Sequence, residues 1–199
     1  SALCGSGTEL SRGCEGVRAR EVADASTYPW SALGRVNFAS LHRRQHCTGA
    51  LVGPRLVLTA AHCLYSFARK AWIPASSLRF VAGYQRGAQV AVSPVRRYLL
   101  PAVQDPSGRD FRTGPGTDWA LLELSEPLGE RAGWLSVAAL DQAGLDRALA
   151  AGGRVALAGY SGLRPHVLTV DPDCGPLRFA GGGAPLLNRC TAMAGDSGA

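Results

Sequence analysis

The sequence has almost no lysine. Lys70 is the only one among 21 basic residues, so arginine supplies nearly all the positive charge of a 199-residue chain with a formal net charge of +6. The arginines are scattered, because Arg43-Arg44 and Arg96-Arg97 are their only adjacent pairs and no basic block is interleaved with aromatic residues. Nucleic-acid-binding surfaces typically cluster such residues. We therefore expect a solvated basic surface and no nucleic-acid partner.

Long uninterrupted apolar runs are also missing. The apolar stretch around Leu51–Leu64 is broken by Pro54, Arg55 and His62, whereas a membrane-spanning helix needs about 20 consecutive apolar residues. We therefore expect no membrane partner. A hydrophobic fraction of 46% excludes a disordered chain, and 25 glycines and 12 prolines without a three-residue period exclude collagen. The apolar content suffices for one large domain or two small ones.

The cysteines lack the CxxC spacing of zinc ribbons and thioredoxin-like redox sites. Their number, six, is even and their spacings are wide, which predicts three disulfides and an oxidising compartment. We therefore expect a secreted or periplasmic protein, although the N-terminus itself has no signal-peptide pattern. One cluster of histidines and cysteines has a spacing that fits no common zinc finger, so we expect no metal. It comprises His42, His46, Cys47, His62 and Cys63. We also expect no organic cofactor.

Short apolar segments bounded by turn residues fill much of the chain, and no helical period is sustained. Such segments indicate an all-β barrel or sandwich. Turns are predicted at Gly53-Pro54 and Ser93-Pro94, and Ala138–Ala151 is compatible with a short helix or a loop. The predicted strands are Ser31–Phe38, Thr48–Val52, Leu56–Thr59, Leu78–Ala82, Gln89–Val92, Trp119–Leu124, Arg154–Tyr160, Val167–Val170 and Ala184–Leu187.

Three segments each hold one member of a nucleophile, base and acid set. His62 ends an apolar run, Asp118 precedes another, and Ser197 lies in the sequence Gly-Asp-Ser-Gly. Serine is a weak nucleophile that needs a base to take its proton, and the base needs an acid to fix its tautomer. The glycines permit a tight turn that aims the backbone N–H groups of Gly195 and Ser197 at one point, where they would stabilise an oxyanion.

In this order the segments resemble the trypsin/chymotrypsin-like serine proteases, whose histidine, aspartate and serine follow one another along the chain. Other stretches agree with the same family, and the resemblance covers about residues 22–199. The Cys190–Ala199 segment is more similar to bacterial secreted members than to digestive enzymes. The other stretches are Tyr28-Pro29-Trp30, Cys47-Thr48-Gly49-Ala50-Leu51-Val52, Pro127-Leu128 after Asp118–Leu124, and Ala158-Gly159-Tyr160.

The resemblance implies a chymotrypsin-like double six-stranded antiparallel β-barrel. Residues 1–20 would be an N-terminal extension or propeptide, residues 21–126 the first barrel, and residues 127–199 a linker and partial second barrel. His62 would be the general base, Asp118 the orienting acid and Ser197 the nucleophile, with Gly195 and Ser197 as oxyanion donors. Of fifteen possible disulfide pairings, the family bridges match Cys47–Cys63 and Cys174–Cys190, which leaves Cys4–Cys14.

The sequence departs from the family at three places. Many members are cut after a basic residue, and the freed apolar N-terminus pairs with the aspartate before the nucleophile, here Asp196. Arg20 is followed by a charged residue, so we expect that Glu21 is not an inserted N-terminus. Thr191 would lie at the base of the specificity pocket, and its neutral side chain argues against Arg or Lys substrates but leaves apolar, small and acidic ones open. The chain ends two residues after Ser197, so we expect an incomplete second barrel.

The function that the resemblance implies is a secreted serine endopeptidase, which acts on protein or peptide substrates through an acyl-enzyme on Ser197. A second chain would be the partner that completes the C-terminal barrel. One alternative is a catalytically silent protease-like binding module without a finished pocket. Another is a basic protein that binds heparin or nucleic acid.

Overall fold

The computed structural model describes residues 2–3, 14–39, 44–114, 116–180 and 185–199. Its helices are α1 (Glu15–Ala19), α2 (Gly129–Ala132) and α3 (Gln142–Ala150), with 3₁₀ turns at Trp30–Ala32, Ala61–Leu64 and Ala75–Ser77. Its strands are β1 (Ala2–Leu3), β2 (Glu21–Val22), β3 (Leu33–Ala39), β4 (Arg44–Leu51), β5 (Leu56–Thr59), β6 (Tyr65–Ser66), β7 (Ala71–Trp72), β8 (Leu78–Ala82), β9 (Ala91–Leu99), β10 (Ala120–Leu124), β11 (Leu157–Gly159), β12 (Thr169–Asp171), β13 (Arg178–Phe179), β14 (Leu186–Leu187) and β15 (Thr191–Ala192).

Six strands close into an antiparallel barrel in the order β10-β5-β4-β3-β8-β9. Alternate side chains of β8 point into it, because Leu78, Phe80 and Ala82 are fully buried while Arg79 is exposed. This period of two is the pattern expected of a strand with one apolar face. The predicted all-β class is confirmed, and the barrel interior is the main hydrophobic core.

The predicted turn at Ser93-Pro94 is wrong, because β9 runs straight through it. Proline cannot donate a backbone hydrogen bond, so it is tolerated in a strand only where its neighbours do not require one. Pro94 lies where β9 changes partner: Ala91–Pro94 pairs with β8, whereas Val95–Leu99 pairs with β10. The predicted strand Gln89–Val92 covers only the beginning of β9 for that reason.

Downstream of the barrel, the described residues contain an open antiparallel sheet of three strands, in the order β11-β12-β2. Predicted strands in this part of the chain are longer than the observed ones: Arg154–Tyr160 reduces to β11 and Val167–Val170 shifts to β12. The Ala138–Ala151 region forms α3, whose N-terminus is capped by the Asp141 carboxylate accepting from Gly144 N–H at 2.7 Å. Residue 184 of the predicted strand Ala184–Leu187 lies outside the described residues.

The N-terminal segment packs against the rest of the chain. Cys14 and Val17, on either side of the first turn of α1, form a small buried cluster with Met193. Strand β2 pairs with β12, so Glu21–Val22 belongs to the three-stranded sheet, and the first strand of the barrel is β3. Residues 14–22 therefore contact the segment that leads to Ser197.

Two disulfides have both cysteines among the described residues, Cys47–Cys63 and Cys174–Cys190. Cys14 is also disulfide-bonded, and its expected partner, Cys4, lies outside the described residues. In the part of the chain that the structure describes, the helices are too short or too polar to cross a membrane.

Candidate active site

His62 and Asp118 lie side by side at the rim of the barrel. His62 belongs to the 3₁₀ turn that follows β5, whose neighbours Ala61 and Leu64 are fully buried and fix the turn. Asp118 comes just before β10, and Ala120 pairs with Thr59 at the end of β5. The pairing of these two strands therefore brings together side chains that are 56 positions apart in the sequence.

Two hydrogen bonds join His62 to Asp118, one from its imidazole and one from its backbone. Its Nδ1 lies 2.7 Å from Asp118 Oδ2, and its backbone N–H donates to Asp118 Oδ1 at 2.8 Å. An ionised carboxylate only accepts, so Nδ1 carries the proton and Nε2 keeps a free lone pair. Burial raises the pKa of the Asp118 carboxyl, but the hydrogen bonds from His62 outweigh it and the net pKa is below its usual range. Asp118 is thus ionised at neutral pH, as an orienting acid must be.

The turn that carries Ser197 is fastened to strand β4 by one buried threonine. Thr48 N–H donates to the Ser197 carbonyl oxygen at 2.9 Å, and its hydroxyl donates to the Gly195 carbonyl oxygen at 2.9 Å. The same hydroxyl accepts from Tyr160 N–H at 3.0 Å, and Thr59 donates its own hydroxyl to the Thr48 carbonyl oxygen at 2.7 Å. Thr48 is fully buried, so these bonds are protected from competing water.

Two backbone donors of this turn have no partner among the described residues. Gly195 has a φ of 98° and Gly198 a φ of 87°, both in the left-handed region that favours glycine. The carbonyl oxygen of Gly195 accepts from Thr48. The backbone N–H groups of Gly195 and Ser197 donate to no described residue. Unpaired backbone donors beside a nucleophile are what an oxyanion hole requires.

The Cys47–Cys63 disulfide lies between the two halves of the site. Cys63 directly follows His62, and its Sγ lies 3.9 Å from the Ser197 carbonyl oxygen, so the turn that carries Ser197 contacts the turn that carries His62 through this sulfur. Among the described residues no hydrogen bond joins the Ser197 hydroxyl to His62; such bonds are commonly long before substrate binds.

Cys47, His62 and Cys63 also bring three metal-ligating atoms within 4.8 Å of one another. Zinc binds thiolates, and both sulfurs here are consumed by the disulfide. His42, another member of the cluster considered from the sequence, lies outside the described residues.

Thr191, the expected base of the specificity pocket, is half-buried against the N-terminal segment. A Cβ placed on Gly16 of α1 would lie 2.8 Å from the Thr191 hydroxyl, and β15, which contains Thr191, pairs with β1. The Thr191 carbonyl oxygen accepts from the guanidinium of Arg20. Helix α1 and Arg20 thus cover this side of Thr191.

Sequence reasoning missed three residues that support the site: Thr48, Thr59 and Arg20. The two threonines are polar side chains inside apolar strands, which is a weak signal because threonine is common in strands. From the sequence, Arg20 resembles a cleavage position, whereas the structure buries its side chain against Asp196. Their partners are distant in the sequence, so no local pattern marks them.

A comparison with protein families defines the class of protein. The family model Trypsin matches residues 19–171, and the chain belongs to the trypsin family of serine proteases. The predicted family is confirmed.

Individual relatives match over part of their length. A glutamyl endopeptidase of Bacillus licheniformis is 30% identical over 119 residues, which is 57% of this chain and 32% of the relative. A trypsin of Simulium vittatum is 29% identical over 108 residues, 54% of this chain and 39% of the relative. The matched region thus spans 32% to 39% of the length of these proteins.

Two solved structures share the fold. A Glu endopeptidase in complex with MPD superposes with a TM-score of 0.69 at 16% identity, covering 100% of this chain and 80% of that one. The protease Anisep from Arthrobacter nicotinovorans gives a TM-score of 0.54 at 19% identity over 78% of this chain and 68% of its own. Together with the closed barrel, these neighbours confirm the chymotrypsin-like fold.

Proposed function

We propose that this protein is a secreted serine endopeptidase that cleaves peptide bonds through an acyl-enzyme on Ser197. The observation that carries the proposal is the pair of hydrogen bonds from His62 to Asp118, at 2.7 Å and 2.8 Å. They leave His62 Nε2 as a base on the side of the histidine away from Asp118. The N–H groups of Gly195 and Ser197, which donate to no described residue, would supply the second element of acyl transfer, an oxyanion hole.

The reaction takes place in two halves. Ser197 Oγ adds to the carbonyl carbon of the scissile bond while its proton passes to His62 Nε2. The resulting oxyanion accepts hydrogen bonds from the N–H groups of Gly195 and Ser197. When the adduct collapses, the C–N bond breaks, His62 returns the proton to the leaving amine, and the acyl group stays on Ser197 as an ester. Water, deprotonated by His62, then adds to the ester carbon, and Ser197 Oγ leaves with that proton.

Asp118 supports both halves without taking the proton itself. Each half passes through an imidazolium, and an ionised carboxylate at Nδ1 stabilises that cation and prevents the ring from turning over. The lowered pKa of Asp118 keeps it ionised throughout.

Secretion is part of the proposal because of the disulfides. Cys47–Cys63 bridges the histidine turn to β4, and Cys174–Cys190 lies ahead of the nucleophile turn. Structural disulfides persist in extracellular and periplasmic compartments and are rare in the reducing cytosol.

We further propose that the enzyme does not accept Arg or Lys before the scissile bond, because Thr191 offers no carboxylate to pair with a cation. Among the apolar, small and acidic side chains that remain, we propose an acidic one, and the name of one relative, glutamyl endopeptidase, supports this choice. A matched set of peptides with Glu, Ala or Arg at this one position tests the preference. Fastest cleavage after Glu supports it, and fastest cleavage after Arg contradicts it.

We also propose that the first barrel lies within residues 21–126 and that residues 127–199 are a linker and part of a second barrel, which β2 joins by pairing with β12, with a further chain as a partner. The closed barrel and the open sheet support this division, since β11 has an edge to which another strand can pair. Light scattering on the purified chain tests the partner, because a strictly monomeric, fully active protein would contradict it.

Labelling with a fluorophosphonate tests the function. This reagent esterifies only an activated serine, so the wild-type chain should be labelled at Ser197. Ser197→Ala and His62→Ala should abolish labelling. Ser136→Ala, which alters an exposed serine outside the proposed site, should leave labelling unchanged. Absence of labelling in the folded wild-type chain would favour a catalytically silent binding module instead.

A further inference from the structure

We infer that Arg20 is a positioning residue for the nucleophile turn, and that the active protein keeps Arg20 covalently attached. In the family pattern described above, a cleaved N-terminus pairs with the aspartate before the nucleophile. Here the structure assigns that place to the guanidinium of an internal arginine. The inference rests on the proposed function and adds a residue and a mode of activation to it.

The ion pair between Arg20 and Asp196 is completely buried. One terminal guanidinium nitrogen lies 2.9 Å from Asp196 Oδ1, and the two side chains are 0% and 1% exposed. The other terminal nitrogen donates to the Thr191 carbonyl oxygen. Asp196 Oδ2 accepts from Met193 N–H at 3.0 Å, so both carboxylate oxygens are engaged. Removal of one partner of a buried ion pair strongly destabilises the folded protein, because the other charge is left unpaired.

The position of the Asp196 carboxylate constrains the backbone of the two adjacent residues, Gly195 and Ser197. Asp196 stands between Gly195 and Ser197, which carry the proposed oxyanion donors. Its backbone N–H donates to Met193 O at 3.0 Å, so side chain and backbone of Asp196 both bind Met193. On the other side, a Cβ on Gly159 would lie 2.7 Å from Asp196 Oδ1. The carboxylate fills this space, and it has no second cation among the described residues.

Without the guanidinium, the buried Asp196 carboxylate would have no counter-ion among the described residues. Rotation of this carboxylate toward water would lower its free energy. The rotation would also move the backbone N–H groups of Gly195 and Ser197. The proposed oxyanion hole would then be lost while the His62–Asp118 pair, on the first barrel, stayed intact. This separation of effects makes the role of Arg20 testable.

The same geometry reverses the expected consequence of cleavage after Arg20. The peptide bond between Arg20 and Glu21 links this arginine to strand β2. Glu21 itself is exposed. A cut at this bond would leave Arg20 on the N-terminal fragment and place a new amine on an exposed residue. Cleavage there should therefore lower activity. Of the two expectations for residues 1–20, the geometry favours a retained extension over a removed propeptide.

Rescue by a small cation tests the inference in the full chain. Arg20→Ala leaves a cavity the shape of a guanidinium, and ethylguanidinium can refill it. Fluorophosphonate labelling of Arg20→Ala should be about 10²–10³-fold slower than wild type, the loss expected from a misplaced oxyanion donor. Ethylguanidinium should restore part of the rate, and tetramethylammonium, which donates no hydrogen bonds, should not. Arg154→Ala, at an exposed arginine, is the matched control.

Hydrogen exchange supplies a readout that is independent of catalysis. In Arg20→Ala, the backbone amides of residues 191–198 should exchange faster than in wild type, the barrel peptide 78–82 should not change, and ethylguanidinium should restore protection. If the wild type is not labelled by the phosphonate, the proposed function fails and this exchange pattern alone decides the role of Arg20.

Three results would overturn the inference. The first is wild-type exchange at residues 191–198 in Arg20→Ala. The second is faster exchange throughout the barrel without rescue, which would show a merely structural residue. The third is a phosphonate-labelled population whose intact mass shows that it begins at Glu21.

Discussion

The Thr48 hydroxyl donates a 2.9 Å hydrogen bond to the carbonyl oxygen of Gly195. Through this bond, strand β4 of the closed barrel holds the turn that contains Gly195, 147 positions further along the chain. The N–H of the same Gly195 has no partner among the described residues. The barrel and the turn that carries Ser197 are therefore mechanically coupled, and changes in β4 should alter the position of Ser197.

Thr48→Val should destabilise the protein and slow its reaction with phosphonates. Valine has the same shape but leaves the Gly195 carbonyl and the Tyr160 N–H unpaired in a buried site. Each unsatisfied group costs about 1–3 kcal/mol in the free energy of unfolding. Urea denaturation measures the stability, and the labelling rate measures the site. Thr48→Ser keeps the hydroxyl and is the control; a valine variant as reactive as wild type would show that the bond does not position the turn.

Asp118→Asn should reduce the rate of acylation by about 10³–10⁴-fold with little effect on substrate binding. The amide can present its N–H to His62 Nδ1, which stabilises the wrong tautomer and places the proton on Nε2. Single-turnover kinetics separate acylation from binding. Glu123→Gln, which alters another carboxylate on the adjacent strand β10, is the control. Equal rates for both variants would remove Asp118 from the proposed site.

His46 should make the protein less stable below about pH 6.5. Burial lowers the pKa of its imidazole from its ordinary value of 6.5, and nearby Arg35 lowers it further, while the hydrogen bond to the Tyr160 carbonyl and the charge of Asp196 oppose them. Because the folded pKa lies below the unfolded one, protonation favours unfolding. The contribution of His46 is fully present above pH 6.5 and is lost as the pH falls toward the lowered pKa.

The free energy of unfolding as a function of pH checks this expectation. The slope just below pH 6.5 should be positive in wild type and smaller in His46→Gln. Carboxylates such as Asp118 contribute a similar loss only near their own, lower pKa values, so the two windows are separate. An unchanged slope in His46→Gln would contradict the assignment.

Gly198→Ala should be strongly destabilising, although it adds a single methyl group. The φ of 87° is unfavourable for alanine, and the new Cβ would overlap the Thr48 carbonyl oxygen and the Thr59 hydroxyl. Thermal unfolding of the variant should show a clear loss of stability. Gly87→Ala is a suitable control, since its φ of 92° is equally left-handed but its Cβ would meet no atom within 4 Å. Similar losses in both variants would assign the effect to backbone strain alone.

Much of the first barrel could be predicted from local patterns. Strands β5 and β8 have the predicted bounds, because apolar residues with turn residues at both ends specify a short strand. Strand β9 was misjudged, because the tolerance of Pro94 depends on which neighbour each half of the strand pairs with. That is a property of the barrel and leaves no trace in the segment itself.

The candidate site likewise contains residues that local patterns predict and residues that they do not. His62, Asp118 and Ser197 could be selected because each lies in a recognisable short motif, and the motifs follow the family order. Thr48 and Arg20 could not, because their roles depend on contacts across 147 and 176 positions. A buried arginine in particular contradicts the expectation that arginine lies on the surface, and only the position of Asp196 explains it.

The most direct test of the central claim is a search for the acyl-enzyme itself. The chain is mixed with an excess of a p-nitrophenyl ester, quenched in acid within the first turnover, digested and analysed by mass spectrometry. We predict a burst of about one equivalent of nitrophenolate per chain, with the acyl mass on Ser197. A linear release of nitrophenolate with no burst and an unmodified Ser197 peptide would contradict the account.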